Sequence, residues 1–291
     1  MSLHRKPIRT GALALALAVY LGDVPIRASS GDEAVSVRSG SDRALLVVGL
    51  PGDDEHATLF RQTARRWRAW LIGPGGFPAD GVRVLFGTGG EEGGPASRAA
   101  IAREAQDARR RLSRDGRLWV LVLGHANPGG GHAFLHLPGP DLRDDEFAAL
   151  FRGLACREQV FWMTTAASGG FLPALSAEGR IVIAATARDR EFNETEFPHA
   201  LADVLQRPAE ALDQDGDGRI SVWELFLRTA EAVEARFATD RRAPTEHAQL
   251  DDDGDGVGTE RPDPSRVPPE GVGSQDGALA KQTFVPKSKP K

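Results

Sequence analysis

Residues 118–131 read LWVLVLGHANPGGG, and this stretch decides the fold. Its first six residues are apolar with no helical period, the pattern of a strand buried on both faces. It ends in Gly124, His125 and a glycine-rich turn, so the histidine stands at the carboxyl end of that strand. In open α/β sheets ligands bind along this rim, which makes His125 the first candidate for chemistry. A histidine that merely caps or packs against the rim would leave the same trace.

Working outward, residues 44–50 (ALLVVGL) and 82–86 read as strands before it, and 160–163 and 181–185 as strands after it, with a short apolar run at 133–137. Between them lie helical stripes. Phe60, Ala64, Trp67 and Leu71 fall on one face and are stopped by GPGG at 73–76. A glycine-rich loop at 87–94 follows, and Pro95 opens a second helix carrying Ile101, Ala105, Ala108 and Leu112. A third carries Phe147, Leu150, Phe151 and Leu154. Strands alternating with helices predict βαβ units, hence an α/β fold with a mostly parallel sheet and helices on both faces. No repeat suggests a solenoid.

The 291 residues fit one sizeable core plus appendages. His4, Arg5, Lys6 and Arg9 precede an apolar run at 11–22, and the small residues Ala28, Ser29 and Ser30 follow, the order of a secretory signal. The alternative is an N-terminal helix packed on the domain. The run is too short for the roughly 20 residues that span a bilayer, so no transmembrane segment is expected once it is removed. The expected organisation is a signal at 1–30, a linker at 31–43, the α/β domain at 44–206, a calcium-binding segment at 207–260 and a disordered Pro/Gly/Lys tail at 261–291. The expected location is secreted or periplasmic. Cys156 is the sole cysteine, so no intramolecular disulfide forms; at the end of a helical pattern it reads as a small buried hydrophobe.

The formal net charge is -5, and residues 1–30 contribute four Lys or Arg and one Asp, so the remainder carries -8. Residues 211–260 hold 13 Asp or Glu against 5 Arg. An acidic surplus confined to one segment points to a cation and away from nucleic acid.

Within it, residues 213–224 (DQDGDGRISVWE) match the EF-hand calcium loop. Asp213, Asp215 and Asp217 stand at positions 1, 3 and 5, and Gly218 makes the turn at 6. Arg219 offers its backbone carbonyl at 7, Ile220 is the apolar residue at 8, Ser221 sits at 9 and Glu224 is the bidentate ligand at 12. The expected cofactor is Ca²⁺, because a hard cation needs six to eight oxygens and this spacing wraps them around one point. Phe226, Ala230, Val233 and Phe237 form the exit helix, whereas the entering helix is short and interrupted by Pro208. A second acidic run, residues 251–256 (DDDGDG), restarts the pattern with Asp251, Asp253 and Asp255 but has Gly258 where an apolar residue belongs and Pro262 where the glutamate belongs. It reads equally as a second cation site or a solvated acidic turn.

Gly124-His125-Ala126 at the end of one strand, and residues 160–170 (VFWMTTAASGG) spanning the next, resemble the legumain and caspase-like cysteine peptidases. That family places its histidine at one strand end, usually as His-Gly, and its nucleophile at the next, often within Ala-Cys-x-Ser-Gly. The resemblance covers roughly residues 44–205 and implies a caspase-like architecture with a site on the strand rim. It maps His125 onto the catalytic histidine, Ser168 and Gly169 onto the Ser-Gly pair, and the nucleophile position onto Ala166. A methyl group cannot attack a carbonyl, so the thiolate chemistry is absent. Thr164 and Ser168 lie about 6.6 Å along an extended strand from that position, and Thr165 points the other way.

Three readings are open. The first is a calcium-binding protein whose caspase-like domain lacks cysteine peptidase activity. The second is a peptide-bond hydrolase using His125 with another nucleophile. The third is a calcium-dependent interaction or scaffold module with a peptide or protein partner. Asn193-Glu194-Thr195 is a glycosylation sequon in a source that glycosylates, and otherwise a loop entering the helix of Phe197, Leu201 and Leu205.

Overall fold

The computed structural model describes residues 42–188, 191–265 and 275–286. The chain divides into two units, Met1–Val37 and Arg38–Lys291. The first unit, and with it the expected signal and nearly all of the linker, lies outside the described residues.

In chain order the second unit begins with β1 (Arg43–Val48), α1 (Asp54–Ile72), β2 (Val82–Phe86), α2 (Arg98–Arg111) and β3 (Arg117–Leu123). A small antiparallel sheet comes next, made of β4 (Ala126–Gly129), β5 (His132–Leu135) and β6 (Leu142–Arg143). Then come α3 (Asp144–Leu150), β7 (Glu158–Met163), α4 (Leu172–Leu175), β8 (Arg180–Ala184) and α5 (Phe197–Val204). The chain continues through α6 (Ala209–Leu212), α7 (Val222–Thr239), β9 (Gln249–Asp251) and α8 (Ala278–Gln282). The main sheet has the order β2-β1-β3-β7-β8-β9, parallel except for β9.

Alternation along each strand divides its side chains between two cores. Leu46, Val48, Leu121, Trp162 and Ile183 face one side with Trp67 of α1, Phe197 of α5 and Phe226 of α7. Leu45, Val47, Val120, Phe161 and Met163 face the other with Ile101 of α2 and Phe147 of α3. All seven residues of β3 are buried, as its unbroken apolar run requires. Helix starts follow local chemistry: Asp53 accepts the His56 N–H at α1, and Ser97 accepts the Ala100 N–H at α2, two residues after Pro95.

Several boundaries differ from expectation. The domain begins within the expected linker, because Asp42 binds buried Arg117 through its backbone N–H and Nε, each at 2.9 Å. The α3 helix stops at Leu150 and leaves Leu154 in the following loop. Residues 207–260 are not an appendage: α7 packs its Phe226, Val233 and Phe237 into the core, and β9 completes the main sheet as its antiparallel edge. A three-residue strand is too short to show a period, which hid it.

The tail expected to be disordered is ordered at residues 275–286. Ala280 is fully buried, and Asp252 caps the start of α8 by accepting the N–H groups of Gly277 and Ala280, each at 2.7 Å. Val222 N–H donates to Thr283 and Val285 N–H to Ile220, both at 2.8 Å. A few small and β-branched residues with backbone pairing dock this segment without an apolar stripe.

Candidate functional site

The parallel pairing of β3 with β7 sets the rim. Val122 and Met163 are register partners, and His125 and Ala166 each stand three residues beyond them. His125 Nε2 lies 3.0 Å from the Pro51 carbonyl oxygen. A carbonyl only accepts, so Nε2 carries a proton.

Past Met163 the chain turns sharply. Ala167 has φ 52 and ψ 17, a left-handed conformation uncommon outside glycine, and opens the turn that carries Ser168. Ser168 is fully buried: its Oγ accepts the Thr186 N–H at 3.1 Å and lies 3.2 Å from Thr186 Oγ1. Gly169 is required there, since a Cβ would come within 2.6 Å of the backbone of residues 186–188. The Ser-Gly pair thus has a folding role at this corner. Thr164 and Thr165 are fully buried too. Thr164 Oγ1 donates to the Val122 carbonyl at 2.6 Å, whereas Thr165 Oγ1 has no hydrogen-bond partner among the described residues. The hydroxyls nearest Ala166 therefore point into the protein.

A second histidine, which no sequence pattern singled out, stands on this rim. His56, in the first turn of α1, lies 5.3 Å ring to ring from His125. Its Nδ1 meets Asp53 at 2.8 Å and its Nε2 meets Glu194 at 3.0 Å. Hydrogen bonds to Asp53 first and Glu194 second raise its pKa above the ordinary value. The Asp53/His56 spacing at a helix start was the available signal; Glu194 comes from a distant loop and left none. That loop is pinned by Thr195 Oγ1 donating to Thr164 O at 2.6 Å, so the sequon threonine is buried. A cavity of about 820 Å³ opens at the ends of β1 and β2, lined by Pro51, Asp53, Arg61, Arg65, Phe86 and Thr88 among others. Cys156 lies away from this rim, and burial pushes its thiol up to about 11.

The acidic loop forms a second centre. Short α6 enters it and α7 leaves it, with Ser221 as N-cap of α7 and Glu224 reaching back in a capping box. Glu224 is buried. Its Oε1 accepts the Gln214 N–H at 2.6 Å and its Oε2 accepts from the Ser221 N–H at 2.8 Å and Ser221 Oγ at 2.9 Å. Ligand oxygens of Asp213, Asp215 and Glu224 lie within 4.8 Å of one another. Asp217 is outside this group and accepts the Arg219 N–H at 2.8 Å. The left-handed φ values of Gly216 (73) and Gly218 (77) bend the loop around them. An all-oxygen set of this kind fits calcium chemistry. Asp251, Asp253 and Asp255 also converge within 4.8 Å, as do His132, Asp144 and Asp145, a group not foreseen from the sequence.

No family model matches the sequence, and no curated protein matches it. Among solved structures the chain is similar to the Drosophila initiator caspase Dronc. The TM-score is 0.48 at 12% identity, with 84% of this chain and 96% of that chain covered.

Proposed function

We propose that the chain is a secreted or periplasmic calcium-binding protein built on a caspase-like α/β domain that carries no cysteine peptidase activity. The observation that carries the calcium reading is the convergence of Asp213, Asp215 and Glu224 within 4.8 Å around a glycine turn, at the spacing an EF-hand loop requires. The silent-peptidase reading rests on Ala166, which follows the end of β7 as His125 follows the end of the neighbouring β3 and offers only a methyl group. Calcium would draw together carboxylates that otherwise repel and so fix α7, which packs against the core.

A second reading, an interaction module with a peptide or protein partner, is favoured by the cavity of about 820 Å³ between the start of α1 and the loop after β2. The two are compatible, since the acidic loop and the cavity use different residues.

Thermal melts with and without calcium test the proposal. At free calcium a hundredfold above Kd the stabilisation is about 2.7 kcal/mol, a rise of roughly 5 °C or more. Glu224→Gln should remove most of that rise. An unchanged melt in excess calcium would overturn the reading.

A further inference from the structure

Residues 251–257 reproduce the backbone turns of the first half of the 213–224 loop. Gly254 N–H donates to Asp251 Oδ1 (3.2 Å) as Gly216 N–H does to Asp213 Oδ1 (2.8 Å). Asp255 N–H donates to Asp253 Oδ1 (3.0 Å) as Asp217 N–H does to Asp215 Oδ1 (3.3 Å). Val257 N–H donates to Asp255 Oδ1 (2.7 Å) as Arg219 N–H does to Asp217 Oδ1 (2.8 Å). Gly254 and Gly256 take φ values of 88 and 79, beside 73 and 77 in the first loop.

Turns like these form without a ligand, and three carboxylates in a row are no site by themselves. Asp251 is what distinguishes this loop. It closes β9 at the edge of the main sheet, it is 0% exposed, and its Oδ2 has no hydrogen-bond partner among the described residues. A buried carboxylate oxygen left unpaired is costly, and the other two carboxylates of the cluster worsen it by like charge. Each of these penalties is relieved by one positive ion.

We propose that Asp251, Asp253 and Asp255 hold a second hard divalent cation of the calcium class. The loop is held ready for it. A Cβ on Gly254 would meet Glu178 N at 3.0 Å and one on Gly256 would meet Pro173 Cα at 3.1 Å, so the turn sits against α4 and its connection to β8. Gly256 N–H also donates to Ser176 Oγ at 3.0 Å. With Pro262 where a bidentate glutamate would close the shell, water supplies more of the ligands, and affinity falls below that of the first loop. The second ion would also brace the C-terminal segment, because Asp252, between two of its ligands, caps α8.

Calcium stoichiometry on the full chain, measured by equilibrium dialysis, tests this. The variants are Glu224→Gln, the double variant Asp253→Asn/Asp255→Asn, and their combination. Asparagine keeps the acceptor oxygen of each turn, and Asp253 and Asp255 are not buried, so the double variant is expected to fold, with circular dichroism as the check. Two ions in the wild type, one in each variant and none in the combination are expected. A double variant that binds as many ions as the wild type, at the same affinities, would overturn the second site. Retention of both ions by Glu224→Gln would count against the first loop alone, so the two proposals fail separately.

Discussion

Lys281 Nζ lies 3.1 Å from Asp215 Oδ2, so a cation from the C-terminal segment is paired with a carboxylate of the 213–224 loop. The same ammonium sits 5.1 Å from the Trp223 ring. A divalent ion drawn to Asp215 must compete with this tethered charge. Lys281→Met keeps the apolar stem over Trp223 and removes the competition. Both partners are partly exposed, so the pair is worth up to about 1 kcal/mol, and calcium affinity should tighten by about fivefold. The gain should shrink in 0.5 M salt, as screening predicts. Calorimetric titration at two ionic strengths reads both effects, and an unchanged Kd would show that Lys281 does not compete.

Cys156 should be a poor nucleophile. It is half-buried, its Sγ is 3.5 Å from the Glu158 carbonyl oxygen, and desolvation pushes its pKa up to about 11. The thiolate fraction at pH 8 is then on the order of a hundredfold below that of a free cysteine. Alkylation of the folded protein by iodoacetamide should be slowed by about that factor and restored in urea. Rapid native labelling would contradict the burial.

Much of the sheet was legible because its strands are buried on both faces and so carry unbroken apolar runs, as in Leu45 to Val48 and Leu118 to Leu123. The convergence of Asp213, Asp215 and Glu224 was legible because these carboxylates are local and at fixed spacing, whereas the position of Asp217 outside that group was not. What escaped depends on distant partners. β9 is defined by pairing of Leu250 with Ile183, across 67 positions, and not by its own three residues. The environment of His125 needed Pro51 and His56 from the β1–α1 stretch, and that of His56 needed Glu194 from a third segment. The inward direction of Ser168 depends on Thr186, whose role no short motif announces.

Glu246 makes stability depend on pH. Burial pushes its carboxyl up to about 7, although the N–H groups of Glu196 and Phe197, at 2.7 and 3.4 Å, favour the charged form. The unfolded chain releases this proton near pH 4.3, so between that value and 7 the folded state holds a proton the unfolded state has lost. The stability from this group is therefore full below the unfolded pKa and is lost as pH rises through about 7. Glu246→Gln should flatten the fall in melting temperature between pH 5.5 and 8, by an amount corresponding to a few kcal/mol at the upper end. Asp276, also raised to about 7, keeps a residual slope. Parallel pH profiles for the two proteins would refute the assignment.

His125 stands at the carboxyl rim of the main sheet with its ring on the Pro51 carbonyl. Its Nε2–H is committed to the Pro51 carbonyl, which leaves Nδ1 as the only base. Across the rim Ala166 has no lone pair to activate, and Thr164, Thr165 and Ser168 are 0% exposed. General-base catalysis needs the nucleophile within hydrogen-bond reach of the base, and among the described residues the hydrogen-bond partner of the His125 ring is the Pro51 carbonyl, not a hydroxyl or thiol. The full chain should leave a diverse peptide library uncleaved with and without calcium. His125→Ala should cost about 1 kcal/mol of stability through the lost hydrogen bond and leave calcium binding unchanged. Cleavage that His125→Ala abolishes would reinstate the hydrolase reading. Thr165 would then be the hydroxyl to replace first, because its Oγ1 is the one of the three without a hydrogen-bond partner among the described residues.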